Sequence, residues 1–196
     1  MQTKTKQIRS VKLTIVALAW LFLLSAGFVQ AQISDRPKPG PEQKKLEVWV
    51  GEWKYAGSLS DTPLGPGGKF AGKTTSRMIL DGLFLESRGE DKGVYGGKAL
   101  LYKAVGLQWY DPKTKTYLDQ HFDNDGVVGG GVTTVTGNTW TSTGTQTDSK
   151  GKSYKTRTTA TVSSDGKTGT QKSELSADDG KTWMPYWEDT LKKVRK

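Results

Sequence analysis

From Gly51 onward, short runs rich in Thr, Val, Tyr and Trp alternate with small clusters of Gly, Asp and Asn. The first group of residues favours β-strands and the second favours tight turns, which is typical of an all-β domain. No interval in this region is long and apolar enough to predict a helix. The segments between turn signals predict about ten strands, near residues 51–60, 69–80, 82–90, 97–103, 104–110, 116–123, 126–136, 138–147, 152–163 and 167–192, of which the last would divide into two.

The turn signals give the connections between these strands. "YDPKTKTY" at 110–117 predicts a hairpin because Asp-Pro starts a turn between two tyrosine-containing strands. "DNDG", "TGN", "DSKG", "SSDGKT" and "ADDGKT" predict the later turns. Consecutive strands joined by tight turns form an up-and-down meander, and a meander this long removes its free edges by closing. The sequence therefore predicts a single up-and-down antiparallel β-barrel.

Alternation within the strands predicts which side chains share a face. In "SYKTRTTATV", one face carries Tyr154, Thr156, Thr158, Ala160 and Val162, and the other carries Lys155 and Arg157. In "TYLDQHF", Tyr117, Asp119 and His121 share a face. Neither face is strongly hydrophobic, and hydrophobic residues are only 34% of the chain. This composition suits an internal cavity, and it suits a weakly packed core equally well.

The first 31 residues have the pattern of a secretory signal peptide. Four basic residues precede the uncharged run Leu13–Val29, which ends in "VQA" with small residues where a signal peptidase cuts. The alternative is an uncleaved membrane anchor, since the uncharged run is nearly long enough to span a bilayer. We predict a signal peptide at 1–31, a Pro-rich linker at 32–43 and the barrel domain at 44–196, located in the periplasm or secreted after cleavage near Ala31. Pro41 is expected to begin a short helical turn before the first strand.

Composition excludes several classes of protein. The chain has no cysteine, which excludes disulfides, thiolate metal sites and a bacterial lipoprotein anchor. The formal net charge is +9, and the four basic residues of the signal segment leave +5 on the rest of the chain. The remaining lysines are spread along the whole length without a dense basic block, so we expect no nucleic-acid partner. Membrane contact is expected only through the transient signal peptide, and the oligomeric state stays open.

Three stretches carry a family resemblance: "LEVWVGEWKYAGS", "TTSRMILDGLFLESR" and "GLQWYDPKTKTYLDQHFDNDG". Their Gly-x-Trp first strand, Gly-x-Phe-Leu strand and Tyr-Asp-Pro hairpin, in this order, resemble a family of secreted bacterial domains of unknown function. The resemblance covers roughly residues 44–190. Such domains look like calycins, the group of lipocalin, fatty-acid-binding and nitrobindin-like barrels. The resemblance implies a closed barrel with an internal cavity and implies no reaction.

Two family features bear on single residues. Lipocalins place an arginine from the end of the chain across the tryptophan of the first strand, and in this tail only Arg195 or a lysine could do so. Some nitrobindin-like barrels hold haem through a histidine near the end of the chain. The only histidine here, His121, lies in the middle of the chain, so the resemblance does not transfer haem binding to it. We expect neither a cofactor nor a metal site.

The candidate ligand-binding residues are Trp53, Arg77, Trp109, His121 and Arg157. Tryptophans in strands could line a cavity, and an arginine inside a barrel is costly unless it meets an anion or a carboxylate. Arg77 and Arg157 could therefore orient the acidic head of an amphipathic ligand. The alternative is that these arginines lie on the outer face of the barrel.

No motif of a known enzyme class is present in the sequence. "DNDG" lacks the closing glutamate of a calcium loop, the glycine-rich segments precede no helix, and no Gly-x-Ser-x-Gly elbow occurs. The leading interpretation is a protein that binds a small apolar or amphipathic molecule inside the barrel. The alternatives are an isomerase or hydrolase that uses Asp119 with His121, and an envelope scaffold without a ligand.

Overall fold

Ten antiparallel strands close into one barrel in which each strand pairs with its neighbours in sequence, and the first strand pairs with the last. The structure is a computed structural model that describes residues 36–195. The predicted signal peptide and the first part of the linker lie outside the described residues. The predicted closed up-and-down barrel is confirmed. The strands are β1 Gly51–Leu59, β2 Gly68–Ile79, β3 Phe84–Tyr95, β4 Lys98–Asp111, β5 Thr116–Asp123, β6 Val128–Thr136, β7 Thr139–Thr147, β8 Ser153–Val162, β9 Thr168–Ser176 and β10 Met184–Arg195.

Several predicted strand boundaries were wrong, although the number of strands was right. The predicted strands 97–103 and 104–110 form one strand, β4, because Gly106 lies inside the strand and pairs in register with Ser87 and His121. The third strand continues past residue 90 to the hairpin at Gly96 and Gly97. These two glycines have positive φ angles of 55° and 79°, which a two-residue hairpin turn requires. The last segment divides into β9 and β10, as predicted.

The predicted turn residues act through their side chains. Asp123 Oδ1 accepts hydrogen bonds from the backbone N–H groups of Asp125 and Val127, both at 2.9 Å. Asp148 Oδ1 accepts from the N–H groups of Lys150 and Lys152 in the same pattern. Each aspartate therefore closes its loop by satisfying backbone donors that no strand satisfies.

A short helical segment enters the barrel before β1, as predicted from Pro41. Helix α1 spans Pro41–Lys45 and continues into a 3₁₀ turn at Leu46–Trp49. The Gln43 side chain accepts a hydrogen bond from the Gly40 N–H at 3.0 Å, which satisfies one donor at the helix start. The Tyr117 hydroxyl donates to the Glu42 carboxylate at 2.9 Å and ties this segment to β5. Within residues 36–195, no helix is long and apolar enough to cross a membrane.

The apolar core lies at the end of the barrel that this segment covers. We call it the closed end and define it by five buried or half-buried side chains, Leu46, Trp49, Trp53, Tyr117 and Trp140. The Trp49 ring centroid lies 5.8 Å from those of both Trp53 and Trp140, and Tyr117 lies 5.1 Å from Trp140. These tilted and edge-on contacts are the favourable geometries for aromatic pairs. The helical segment thus seals one end of the barrel with aromatic packing.

Candidate functional site

Trp53 forms the floor of the barrel and is 1% exposed. Its indole N–H donates to the Trp49 carbonyl at 2.9 Å. Lys193, from the last strand, places its Nζ 4.7 Å from the centre of the Trp53 ring and donates to the Val48 carbonyl at 2.7 Å. The cation over the first-strand tryptophan is therefore a lysine of β10, one of the two possibilities that the sequence left open. Because Trp53 is almost fully covered, it supports the interior from below and offers little surface to a ligand.

Above the closed end, the inward-facing positions are mainly polar or glycine. The register of the strands places residues of alternate parity on the inside, starting from Trp53 in β1. We call this region the upper interior. Its side chains with polar groups include Tyr55, Asp91, Tyr95, Tyr102, Asp119, His121, Asp123, Gln146, Tyr186 and Asp189.

Solvent reaches into the upper interior. The side chains of His121 and Asp119 keep 39% and 25% of their accessible surface, although both point inward from β5. The interior above the apolar end is therefore mainly polar, as the sequence predicted; His121 and Asp119 keep contact with solvent there, whereas Leu175, Tyr154 and Gln146 are buried.

One wall of the upper interior carries a buried aspartate held by two tyrosines. Asp91 in β3 is 7% exposed, and its two carboxylate oxygens accept hydrogen bonds from Tyr55 and Tyr95, each at 3.2 Å. Burial raises the pKa of Asp91, and the two tyrosine donors act against that rise. Burial and the nearby Asp91 charge raise the pKa values of Tyr55 and Tyr95, so both stay protonated donors. Both tyrosine hydroxyls therefore donate their hydrogen bonds to the Asp91 carboxylate.

A second aspartate lies near this group without a partner. Asp189 in β10 pairs in register with Gly57 of β1 and Gln171 of β9, and it points inward like Leu191 below it. Its Oδ1 is buried and accepts no hydrogen bond within the described chain. Burial raises the pKa of Asp189 to about 7. A buried polar atom without a partner is uncommon in proteins, and this makes Asp189 a candidate for contact with a ligand.

Asp119 and His121 share the inward face of β5, as alternation predicted. His121 Nδ1 lies 3.9 Å from Asp119 Oδ2, which is beyond hydrogen-bond distance. The imidazole lies across Gly129 of β6, where any Cβ would overlap the ring. Gly129 therefore gives His121 its space inside the barrel. Between them, these two residues bring one carboxylate and one imidazole to the accessible part of the interior.

The other predicted site residues lie on the outer face. Arg77 pairs with Glu86 at 3.4 Å, and Arg157 makes a two-point ion pair with Glu174 and stacks 4.5 Å from the centre of the Trp183 ring. The ring of Trp109 packs outside the barrel against Phe84, with centroids 5.8 Å apart. The carboxylate partners of both arginines are thus protein side chains on the surface. This placement corresponds to the outer-face alternative, and these three side chains do not line the interior.

Two shallow grooves also lie on the outer face, over strands β2 to β5. One has a volume of about 500 Å³ and includes Arg88, Lys103 and Phe122 in its lining. The other has a volume of about 560 Å³ and includes Val94 and Leu101. Neither groove contains Asp189, Asp119 or His121. The first groove does include Asp123 and Gly89 in its lining, so it borders the upper interior at those two positions.

Sequence reasoning missed Asp91 and Asp189, which are the best-buried carboxylates of the interior. A signal for both was present in the alternation. Asp189 lies two residues from Trp187 and two from Leu191, and therefore on the face that those apolar side chains predict as buried. Asp91 follows Leu85 at the same parity. An aspartate on the apolar face of a strand is the pattern that could have identified them.

The closed antiparallel barrel of ten strands, with its helical cap and a lysine over the first-strand tryptophan, defines a calycin-like barrel. Residues 38–191 match the protein family of unknown function DUF1579, and the chain belongs to this family. The family thereby agrees with the resemblance noted in the sequence. No curated protein matches the chain.

Solved structures of similar fold are barrels at low sequence identity. The crystal structure of Rv2717c from M. tuberculosis is 15% identical, with a TM-score of 0.57 over 80% of this chain and 99% of the other. The S-type phycobiliprotein lyase CPES from Guillardia theta is 10% identical, with a TM-score of 0.51 over 79% of this chain and 93% of the other. At these identities the similarity establishes the shared fold and transfers no activity.

Proposed function

We propose that this protein binds a small amphipathic molecule in the upper interior of its barrel. The observation that carries this proposal is the division of the interior into a filled apolar end and an accessible polar part. A barrel whose only task was structural would gain stability by filling its whole interior with apolar side chains. Here, buried and half-buried polar groups converge on a space that solvent reaches, which is the usual arrangement of a ligand site.

The placement of the groups supports an amphipathic ligand. The aromatic closed end offers an apolar base, and Asp91, Asp189, Asp119 and His121 offer polar contacts above it. One of the barrels of similar fold is a lyase that acts on phycobiliproteins, as its name states. A barrel of this fold can therefore act on another molecule. In the present protein, the residues of the upper interior would determine which ligand is bound.

Binding of the neutral fluorophore Nile red, with one variant that fills the interior, tests the proposal. Gly89 of β3 faces inward, and a Cβ there would lie in ordinary contact with the Tyr55 hydroxyl at 3.6 Å, so a leucine side chain would take up volume in the upper interior. We expect Nile red to fluoresce with the wild-type protein and Gly89→Leu to weaken its binding at least about tenfold, or about 1.4 kcal/mol.

The matched control is Ala71→Leu, on the outer face of β2 in the lining of the groove with Val94 and Leu101. It adds the same side chain outside the barrel and should leave Nile red binding unchanged. Circular dichroism and thermal unfolding establish that both variants are folded. If Ala71→Leu removes binding and Gly89→Leu does not, the ligand occupies the outer groove and the proposal is wrong.

Catalysis by Asp119 and His121 is the second candidate function. Its support is that both side chains face the accessible interior with 3.9 Å between Nδ1 and Oδ2, a distance that a small movement could shorten to a hydrogen bond. Hydrolysis of p-nitrophenyl acetate gives the test. This candidate predicts hydrolysis above the buffer rate that His121→Gln abolishes and that the outward variant Gln120→Ala leaves intact. Equal rates for all three proteins would exclude ester hydrolysis by this pair.

The proposed location is the periplasm or the exterior of the cell, after cleavage near Ala31. The support is the basic, apolar and small-residue pattern of residues 1–31, which lie outside the described part of the chain. Cell fractionation followed by N-terminal sequencing should find a mature protein that begins at Gln32. A full-length protein in the membrane fraction would instead indicate an uncleaved anchor.

A further inference from the structure

We propose that the upper interior selects ligands with a positively charged group, an amine or a quaternary ammonium, and that Asp189 is its anchor. This inference rests on the proposed binding function and specifies the chemistry of the ligand. It replaces the acidic head group that inward arginines would have recognised.

The charged side chains that face the interior are mostly acidic. By strand register, four aspartates point inward: Asp91, Asp119, Asp123 and Asp189. The inward basic groups of the described strands are His121, Lys193 and, at the rim, the exposed Lys98. Lys193 lies at the closed end, where Val48 and the Trp53 ring hold it. An anionic ligand group would therefore meet repulsion inside the barrel, and a cation would meet attraction.

Asp189 differs from the other interior aspartates of the described chain in having a buried carboxylate oxygen that accepts no hydrogen bond. Asp91 accepts hydrogen bonds from two tyrosines, and Asp123 accepts from Tyr102 at 3.0 Å and from its own turn. Asp189 Oδ1 has less than 1 Å² of accessible surface and no hydrogen bond within residues 36–195. Leaving a buried carboxylate oxygen unpaired costs free energy, about 1–3 kcal/mol for an ordinary polar group and more for a charge. A bound ammonium would lower that cost by placing a positive charge beside the carboxylate.

Aromatic rings next to Asp189 suit the same class of ligand. Tyr55 lies on the adjacent strand one inward position away, close enough for the Asp189 charge to raise its pKa. The Tyr55 ring stacks edge-on against Phe70 with centroids 6.1 Å apart. A carboxylate combined with aromatic faces is the arrangement that recognises organic cations, because the ring face attracts positive charge.

A metal ion fits this site less well than an organic cation. In the described part of the chain, no three His, Asp or Glu side chains come together in a geometry that could hold a metal. The carboxylates of Asp91 and Asp123 are already engaged by tyrosine hydroxyls, which leaves Asp189 as a single oxygen ligand. Hard cations need about six oxygen ligands or a set of bound waters. A single carboxylate with aromatic neighbours instead suits one ammonium group.

Three probes with the same alkyl chain and different heads test this inference: decyltrimethylammonium, 1-decanol and decanoate. Their affinities for the untagged protein are measured by calorimetry at pH 8, below the concentrations at which the probes form micelles. We expect decyltrimethylammonium to bind at least about tenfold tighter than 1-decanol, and decanoate to bind weakest. The protein is basic overall, so a general charge effect would give the opposite order.

Asp189→Asn should reduce the affinity for decyltrimethylammonium to that for 1-decanol and leave 1-decanol binding unchanged. The matched control is Glu188→Gln, which removes the same charge from the adjacent, outward-facing position of β10 and should keep the preference. Loss of the preference in both variants, or in neither, would exclude Asp189 as the anchor.

The probes also separate this inference from the proposed function. Equal binding of the three probes, or tightest binding of decanoate, overturns the cation preference while binding in the barrel stands. Failure of all three probes to bind overturns both. The comparison of the probes on the wild-type protein decides the preference even if Asp189→Asn does not fold.

Discussion

The closed end and the upper interior of this barrel are formed by the same strands but differ in how their side chains are packed. At the closed end, Trp49 packs against both Trp53 and Trp140, and the Trp53 indole N–H donates to the Trp49 carbonyl. In the upper interior, Asp189 has a buried oxygen without a partner, and the side chain of His121 stays 39% exposed. The first region stabilises the fold, and the second departs from good packing where a ligand would sit. The proposed binding site would therefore lie at a different height of the barrel from the aromatic packing that stabilises the fold.

The largest expected effect comes from removing the floor of the closed end. Trp53→Ala deletes a side chain that is 1% exposed and packs against Val162 and Leu191. We expect it to lower the free energy of unfolding by about 3–5 kcal/mol, because the surrounding side chains relax only partly into the cavity that a deleted tryptophan leaves. Urea denaturation followed by circular dichroism measures this change.

The control for the floor is Trp109→Ala, which removes the same side chain from the outer face. Trp109 packs against Phe84 alone among the aromatic rings of the described chain, so its loss should cost about 1 kcal/mol. Equal losses for the two variants would contradict the assignment of the core to the closed end.

The second expected effect is a pH dependence of protein stability that comes from Asp189 in the upper interior. Burial raises the pKa of Asp189 to about 7 in the folded protein, above the value of about 3.9 in an unfolded chain. The folded state then binds the proton more tightly, so the stabilising contribution is complete below about pH 4 and is lost as the pH rises through 7. The Asp189→Asn variant should lack this loss and should gain about 2 kcal/mol relative to wild type between pH 5 and pH 8.

The groups that face Asp189 are Tyr55 of β1, Gln171 of β9 and Lys193 further along β10, with Asp91 beyond Tyr55. Asp91 also has a raised pKa and acts in the same direction in both proteins, so the difference between them isolates Asp189. A constant difference between wild type and Asp189→Asn from pH 5 to pH 8 would contradict the buried placement of this carboxyl group.

Asp178, in the turn before β10, should give a pH dependence of stability with the opposite sign to that of Asp189. Hydrogen bonds from Thr182 lower the pKa of Asp178 to about 2. Its contribution is present above about pH 4 and is lost as the pH falls through 2. Asp178→Asn should therefore be less stable than wild type at pH 6, and this difference should shrink toward pH 2. Thermal unfolding across this range shows the trend, and a difference that grows on acidification would disprove it.

The third effect tests the cation over the floor. Lys193→Met keeps the apolar stem but removes the ammonium that donates to the Val48 carbonyl and lies over the Trp53 ring. We expect a loss of about 1–2 kcal/mol in urea denaturation. Lys192→Met makes the same replacement at the neighbouring outward position and should change stability by less than about 0.5 kcal/mol. A smaller loss for Lys193→Met than for Lys192→Met would exclude this role.

The smallest effect concerns the space around His121. Gly129→Ala places a methyl group where the imidazole lies and should move the ring, with a loss of about 1 kcal/mol. The ring proton resonances of the only histidine report the displacement directly. Gly89→Ala adds the same methyl group at 3.6 Å from the Tyr55 hydroxyl and should leave both stability and the His121 resonances unchanged. Unchanged resonances in Gly129→Ala would place the ring elsewhere.

Local sequence signals predicted the strands, the turns and the faces of the strands well. The alternation in "SYKTRTTATV" correctly separated Tyr154 and Val162 from Arg157, but it did not show which of the two faces is buried in the barrel. These features depend on interactions between near neighbours in sequence, such as Asp148 with the loop it closes. One boundary error was the predicted division after Lys103, where no turn residue occurs and where β4 continues in register through Gly106.

Which residues form the candidate site depends on contacts between strands, and a local sequence pattern does not contain these contacts. Arg77 and Arg157 were predicted to contact a ligand because an arginine inside a barrel needs an anion. In the closed barrel both lie on the outer face, where they pair with Glu86 and Glu174 of neighbouring strands. Asp189 became notable only because the strands that surround it supply no donor. Whether a polar side chain has a partner is a property of the closed barrel, and a single strand cannot show it.

The central claim is that the ligand lies in the upper interior, and the resonance of the His121 ring tests it most directly. His121 is the only histidine of the chain and points into that space from β5, so untagged protein gives a single ring Cε1–H signal. Titration with decyltrimethylammonium should shift this signal in a saturable way, with the same dissociation constant that calorimetry gives. Saturable binding by calorimetry without any change of the His121 signal would place the ligand outside the barrel and contradict the account.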